Sequence, residues 1–123
     1  MTDKQQLVPD ASHPITVTPT AGRVVVSRAG RQIADTTRAL TLQESTYPPV
    51  QYVPLADVDP AVIERTDHAT YCPYKGEAGY YSLVVDGERA DNAVWTYDAP
   101  YDAVSEIAGH VAFYPQQVEI TVG

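Results

Sequence analysis

The sequence predicts a mainly β domain, a β-rich α+β fold of two small antiparallel sheets with one short and one longer helix. Three observations point there. Short runs of alternating or β-branched residues recur along most of the chain, each bounded by Gly, Pro or Asp turn signals. No βαβ rhythm appears, which argues for antiparallel strands packed face to face over a doubly wound parallel sheet. Helical spacing or helix-start chemistry is confined to two stretches.

Residues 1–14 mix polar residues with Pro9 and Pro14 and carry no periodicity, so they read as a flexible N-terminal arm, with residues 15–123 forming a single domain. From Ile15 the chain turns β-rich. Arg23 to Arg28 and Arg31 to Asp35 flank Ala29-Gly30 and read as a hairpin. In Arg38-Ala-Leu-Thr-Leu-Gln-Glu44 the two-residue period of a strand puts Leu40 and Leu42 on one face with Arg38 and Glu44, so two charges bracket an apolar stripe. Pro48 and Pro49 end that strand, and Val50 to Val53 begins another that Pro54 stops.

Asp59 as a cap with Pro60 at the first helical position predicts a helix of one or two turns ending near Glu64. Asp67 to Tyr71 reads as a strand running into a loop shaped by Pro73 and Gly76. Gly79 to Val85 is the strongest strand in the chain, and Asp86-Gly87 is the turn that pairs it with Asn92 to Tyr97. Beyond Pro100, the spacing of Val104, Ile107, Ala108 and Val111 predicts the longer helix over 101–111, lying across a sheet. Val118 to Val122 alternates as a last strand. No internal repeat, dinucleotide-binding fingerprint or phosphate-cradling glycine loop is present.

The length of 123 residues suits one core. With 8 basic against 16 acidic side chains, the net charge of −8 sets up a field that repels nucleic acid and anionic membranes, so neither is expected as a partner. A small anionic ligand is still compatible with this balance, because one Arg and one Lys can hold a carboxylate or phosphate locally. Cys72 is the single cysteine, which rules out an internal disulfide and a multi-thiolate zinc site. Its isolation fits a reducing compartment. With no basic-then-apolar start and no long apolar run, a cytoplasmic location is expected.

The stretch Thr70-Tyr-Cys-Pro-Tyr-Lys-Gly-Glu-Ala-Gly-Tyr-Tyr81 resembles the signature of domain-of-unknown-function family 427, also grouped under a nucleotidyltransferase-like label. Further agreement comes from Gly30 to Leu40, Glu44, Tyr52-Val-Pro54 with Asp57, Asn92 to Tyr97 and Ala112 to Pro115, in order from about His13 to Val122. The resemblance implies a bacterial-type protein and a small antiparallel structure, with a tent-like arrangement of two sheets. Relatives of that arrangement bind zinc through cysteine pairs, which this chain lacks. No closely spaced Asp pair stands beside a glycine-serine element of the kind that holds magnesium for nucleotidyl transfer. No metal or cofactor is expected.

The chemistry-bearing candidates cluster in and around these stretches. Cys72 lies three residues before Lys75, whose charge would favour a thiolate nucleophile if the loop joins them; the alternative is an inert packed cysteine. His68, in an extended strand, lies about 13 Å along from Cys72. Arg38 and Glu44, on an inward face, form either a structural ion pair or a site in which Arg38 holds an anionic group and Glu44 acts as acid or base; Asp35 serves either account. The 9 tyrosines and 1 tryptophan against 1 phenylalanine point to a pocket or an interface, because a buried phenol wants a polar partner.

These observations converge on a small-molecule pocket where the Cys72 to Gly76 loop meets the Arg38 and Trp95 strands. Arg38 and Lys75 would hold an anionic group, with Gly76, Asp35 and Tyr80 also binding the ligand, Tyr52, Trp95 and Tyr97 as walls and Cys72 and Glu44 as catalytic groups. Two alternatives stay open: a non-catalytic aromatic cage for a cationic or flat ligand, and a homodimeric interaction protein that buries its tyrosines. His13 and His110 lack metal-binding spacing and read as surface residues.

Overall fold

The computed structural model of the protein describes residues 5–123. Among these residues ten strands form two antiparallel sheets. They are β1 (Ile15–Pro19), β2 (Val24–Arg28), β3 (Arg31–Thr36), β4 (Leu40–Glu44), β5 (Val50–Pro54), β6 (Ile63–Cys72), β7 (Gly76–Val85), β8 (Glu88–Thr96), β9 (His110–Phe113) and β10 (Glu119–Val122). The larger sheet runs β1-β4-β5-β9-β8-β7-β6 and the smaller β10-β2-β3. The predicted hairpins are there: β2 pairs with β3 across Ala29-Gly30, and β7 with β8 across Asp86-Gly87.

Strand pleating divides the apolar residues of the larger sheet between two cores, because successive side chains leave on opposite faces. Val53 on β5, Val94 on β8 and Val111 and Phe113 on β9 join Val24, Val26 and Ile33 of the smaller sheet in one cluster. Their immediate neighbours Tyr52, Trp95 and Ala112 go the other way, into a cluster with Leu42, Tyr80, Tyr97, Val104 and Ile107. This second, tyrosine-bearing core positions the candidate site.

Neither expected helix is an α-helix. Asp59 does cap, its side chain accepting from the Ala61 N–H at 2.9 Å behind Pro60, but the result is a single 3-10 turn over Pro60–Val62. Over 101–111 the chain makes a 3-10 segment at Asp102–Ile107, broken at Val104, and then the strand β9. The apolar spacing had a different cause. Val104 and Ile107 belong to the second core, Val111 faces the first, and Gly109 at φ +76° turns the chain between them.

A second correction concerns Arg38. The strand begins only at Leu40, and Arg38 sits in the preceding corner with its N–H donating to the Thr36 hydroxyl at 2.9 Å. The alternation that carries Leu40, Leu42 and Glu44 therefore does not extend back to it. Residues 1–4 of the expected arm lie outside the described residues. The part that follows is seated on the domain: the Leu7 N–H donates to the Pro73 carbonyl at 2.9 Å, and the Tyr71 hydroxyl donates to the Gln5 carbonyl at 2.6 Å. No helix among the described residues is long and apolar enough to cross a membrane.

Candidate functional site

Glu44 is the last residue of β4, on the face that Leu42 carries into the tyrosine-bearing core. It meets a side chain from the other end of the sheet. The turn between β6 and β7 is only Pro73 to Lys75, and its backbone is held on both sides: the Lys75 N–H donates to the Cys72 carbonyl at 3.2 Å, and its carbonyl accepts from the Tyr101 N–H at 3.0 Å. Gly76 follows at φ +110°, where a Cβ would stand 3.4 Å from the Ala99 carbonyl oxygen. That contact is an ordinary one, and it is the left-handed backbone that favours glycine here. Lys75 is 8% exposed, unusual for a lysine, and its Nζ lies 2.5 Å from Oε1 of Glu44.

The second carboxylate oxygen is occupied as well. Nε2 of His13 donates to Oε2 of Glu44 at 2.8 Å, since an ionised carboxylate can only accept. The imidazole is fixed by stacking on Tyr74, with ring centres 4.2 Å apart and planes within 9°, and by an edge contact with Tyr47 at 6.4 Å. Burial by itself would raise the pKa of Glu44, but the hydrogen bonds from Lys75 and His13 outweigh it and hold the carboxyl below its usual value. The group is a carboxylate clamped between two donors.

Above this clamp opens a cleft of about 180 Å³ lined by Leu42, Val50, Tyr52, Tyr80, Trp95, Tyr97 and Tyr114, with Tyr47 and Pro48 at its side. The indole N–H of Trp95 donates to the Tyr52 hydroxyl at 3.1 Å, while the Tyr80 hydroxyl bonds to Thr70 at 2.8 Å. Burial raises the pKa values of Tyr52 and Tyr97, with the charge of Glu44 adding to the effect, and burial followed by a hydrogen bond with Tyr80 pushes Tyr114 up to about 12. All three phenols keep their protons at any physiological pH. The Tyr97 hydroxyl has no hydrogen-bond partner among the described residues, yet it is not sealed away from solvent, so it opens onto the cleft.

Of the residues singled out in the sequence, the structure brings Glu44, Lys75, Tyr52, Tyr80, Trp95 and Tyr97 together around one cleft. Gly76 shapes the turn that delivers Lys75. Cys72 stands just behind, packed against the tyrosine-bearing core with its Sγ 3.9 Å from Lys75 Nζ, and is not part of the lining. Arg38 and Asp35 are elsewhere. Arg38 is an exposed side chain paired with Asp57 at 3.0 Å, and Asp35 pairs with Arg23 at 3.2 Å.

Sequence reasoning missed His13, Tyr47 and Tyr114. The tyrosine excess is a signal for the last two, but nothing local marks His13, which reaches Glu44 across 31 positions of sequence. No cluster of three or more His, Cys, Asp or Glu side chains able to hold a metal ion exists among the described residues.

A family model described as Domain of unknown function (DUF427), under the label NTP_transf_9, matches residues 16–123. The match spans every residue of the cleft, and leaves out only His13 of the clamp. No curated protein matches the chain.

Proposed function

The chain belongs to the DUF427 family, and from that premise we propose that the cleft above Glu44 is a small-molecule site that takes hold of an anionic or strongly hydrogen-bond-accepting group. The observation that carries this reading is the Tyr97 hydroxyl, a protonated phenol without a partner among the described residues, opening onto a cleft that also contains a buried ammonium. Tyr52 adds a second donor, since accepting from Trp95 leaves its own proton free to be given. Lys75 adds a third, because its ammonium has three N–H bonds, Glu44 engages one of them, and the residue is part of the cleft lining. Three donors and few open acceptors favour an acceptor-rich ligand group.

Glu44 has a supporting role. It gives the buried Lys75 ammonium an opposite charge at hydrogen-bond distance, as a charge withdrawn from water requires.

The test is thermal melting and titration calorimetry with small carboxylates, nucleoside phosphates and their neutral isosteres. A true ligand raises the melting temperature in proportion to the logarithm of its concentration, reaching about 2.7 kcal/mol at a hundred times its Kd. Tyr97→Phe keeps the ring and removes only the hydroxyl, and should weaken the best ligand about 5- to 15-fold. If charged and neutral isosteres bind alike and Tyr97→Phe changes nothing, the reading is wrong.

A further inference from the structure

The cleft around Glu44 and Lys75 is small for a whole ligand. At about 180 Å³ it lies below the roughly 300–1,000 Å³ of typical ligand sites, with room for about six waters' worth of volume at ~30 Å³ each. A second opening lies beside it. This groove of about 510 Å³ shares four wall residues with the cleft, Tyr47, Pro48, Val50 and Trp95. No acidic or basic side chain lines it.

The groove comes from a split in the larger sheet. β5 and β9 pair at only two positions, Val53 with Val111 and Pro54 with His110. Toward Val50 they part: β5 follows β4, with Leu42 opposite Val50, whereas β9 stays with β8, and the Tyr114 N–H continues that ladder by donating to the Ala93 carbonyl at 3.0 Å. Val50 and Gln51 line one bank, Phe113 and Pro115 the other, and Ile120 and Val122 of the smaller sheet close the far side. Val122 is 48% exposed and Tyr47 58% exposed, so apolar surface lies open to water along the groove.

We infer that the ligand is an amphiphile, an organic acid whose acidic head sits against Lys75 and Tyr97 and whose hydrocarbon or aromatic body lies in the groove between β5 and β9. The inference rests on the anionic reading of the cleft and adds the body of the molecule to it. Two facts join the halves. The two spaces are neighbours that share four wall residues, and their polarity differs, with the Lys75 ammonium, its Glu44 partner and the tyrosine hydroxyls in the cleft and only apolar or uncharged groups along the groove. A ligand made of head group alone would leave the groove wet, and an apolar one would leave the Tyr97 hydroxyl unanswered.

Titration of butanoate, octanoate and dodecanoate, each below its micelle-forming concentration, and of the matching alcohols tests this, with Trp95 fluorescence as the readout. The expected result is affinity rising about three- to fourfold per added methylene until the groove is filled. Val122→Asp, a change at an exposed edge that leaves both cores intact, should weaken octanoate about tenfold or more while leaving butanoate unchanged. Tyr97→Phe should lower all three acids by one common factor.

Acids that bind with a Tyr97 dependence but no chain-length dependence would overturn the amphiphile and leave the cleft reading standing. Alcohols that bind as well as acids, without regard to Tyr97, would overturn the head-group assignment and the amphiphile with it. Absence of binding by any of them would also sink both.

Discussion

Both carboxylate oxygens of Glu44 are engaged inside the protein, one by Lys75 at 2.5 Å and the other by His13 at 2.8 Å, and this makes the residue a structural hinge between the N-terminal segment and the β6–β7 turn. Because its pKa is held below the ordinary glutamate value of 4.5, the folded state favours the ionised form more than the unfolded state does. The sign follows directly. The stabilisation is fully present above that ordinary value and is lost as pH falls through the lower folded one, so urea midpoints should drop between about pH 5 and pH 3. Glu44→Gln should be about 1–3 kcal/mol less stable at neutral pH and should show a shallower fall over the same window. Parallel slopes for the two proteins would refute the assignment. Cys72 packs against the second core with its Sγ 3.9 Å from Lys75 Nζ.

At the scale of elements, turns were legible where they depend on adjacent residues alone. Asp86 and Gly87, at φ +52° and +80°, form the left-handed pair that a two-residue hairpin demands, and Val85 faces Glu88 across it. A Cβ at Gly87 would meet nothing within 4 Å. Gly87→Ala should therefore report backbone strain alone, a loss of about 1 kcal/mol or about 4 °C in melting temperature. A neutral change would mean that the turn relaxes to another geometry. The stretch around Val104 to Val111 was misread for a physical reason: its apolar residues supply two cores in succession, and period alone does not reveal which core each one enters.

For the whole molecule, the larger sheet is a shared wall. Tyr52 and Val53, Val94 and Trp95, and Val111 and Ala112 are adjacent pairs that face opposite cores, so neither cluster can come apart without pulling on strands of the other. Leu83→Ala in the first core and Ile107→Ala in the second, both fully buried, should each cost about 2–5 kcal/mol. In both variants Trp95 fluorescence and far-ultraviolet circular dichroism should report one coincident transition. Separate midpoints for the two probes would show independent cores.

The sequence by itself determined the family resemblance, the antiparallel β class, the principal hairpins and the face on which Glu44, Trp95 and Tyr97 lie, because pleating and turn chemistry act over a few neighbouring residues. Only the tertiary structure decided which partners those side chains meet. It brought His13 to Glu44 and Lys75 to the same carboxylate, each across 31 positions, and took Arg38 away to Asp57. It also parted β5 from β9 to open the groove. Strand order and the pairing of buried charges are set by contacts between distant parts of the chain, and local periodicity carries no record of them.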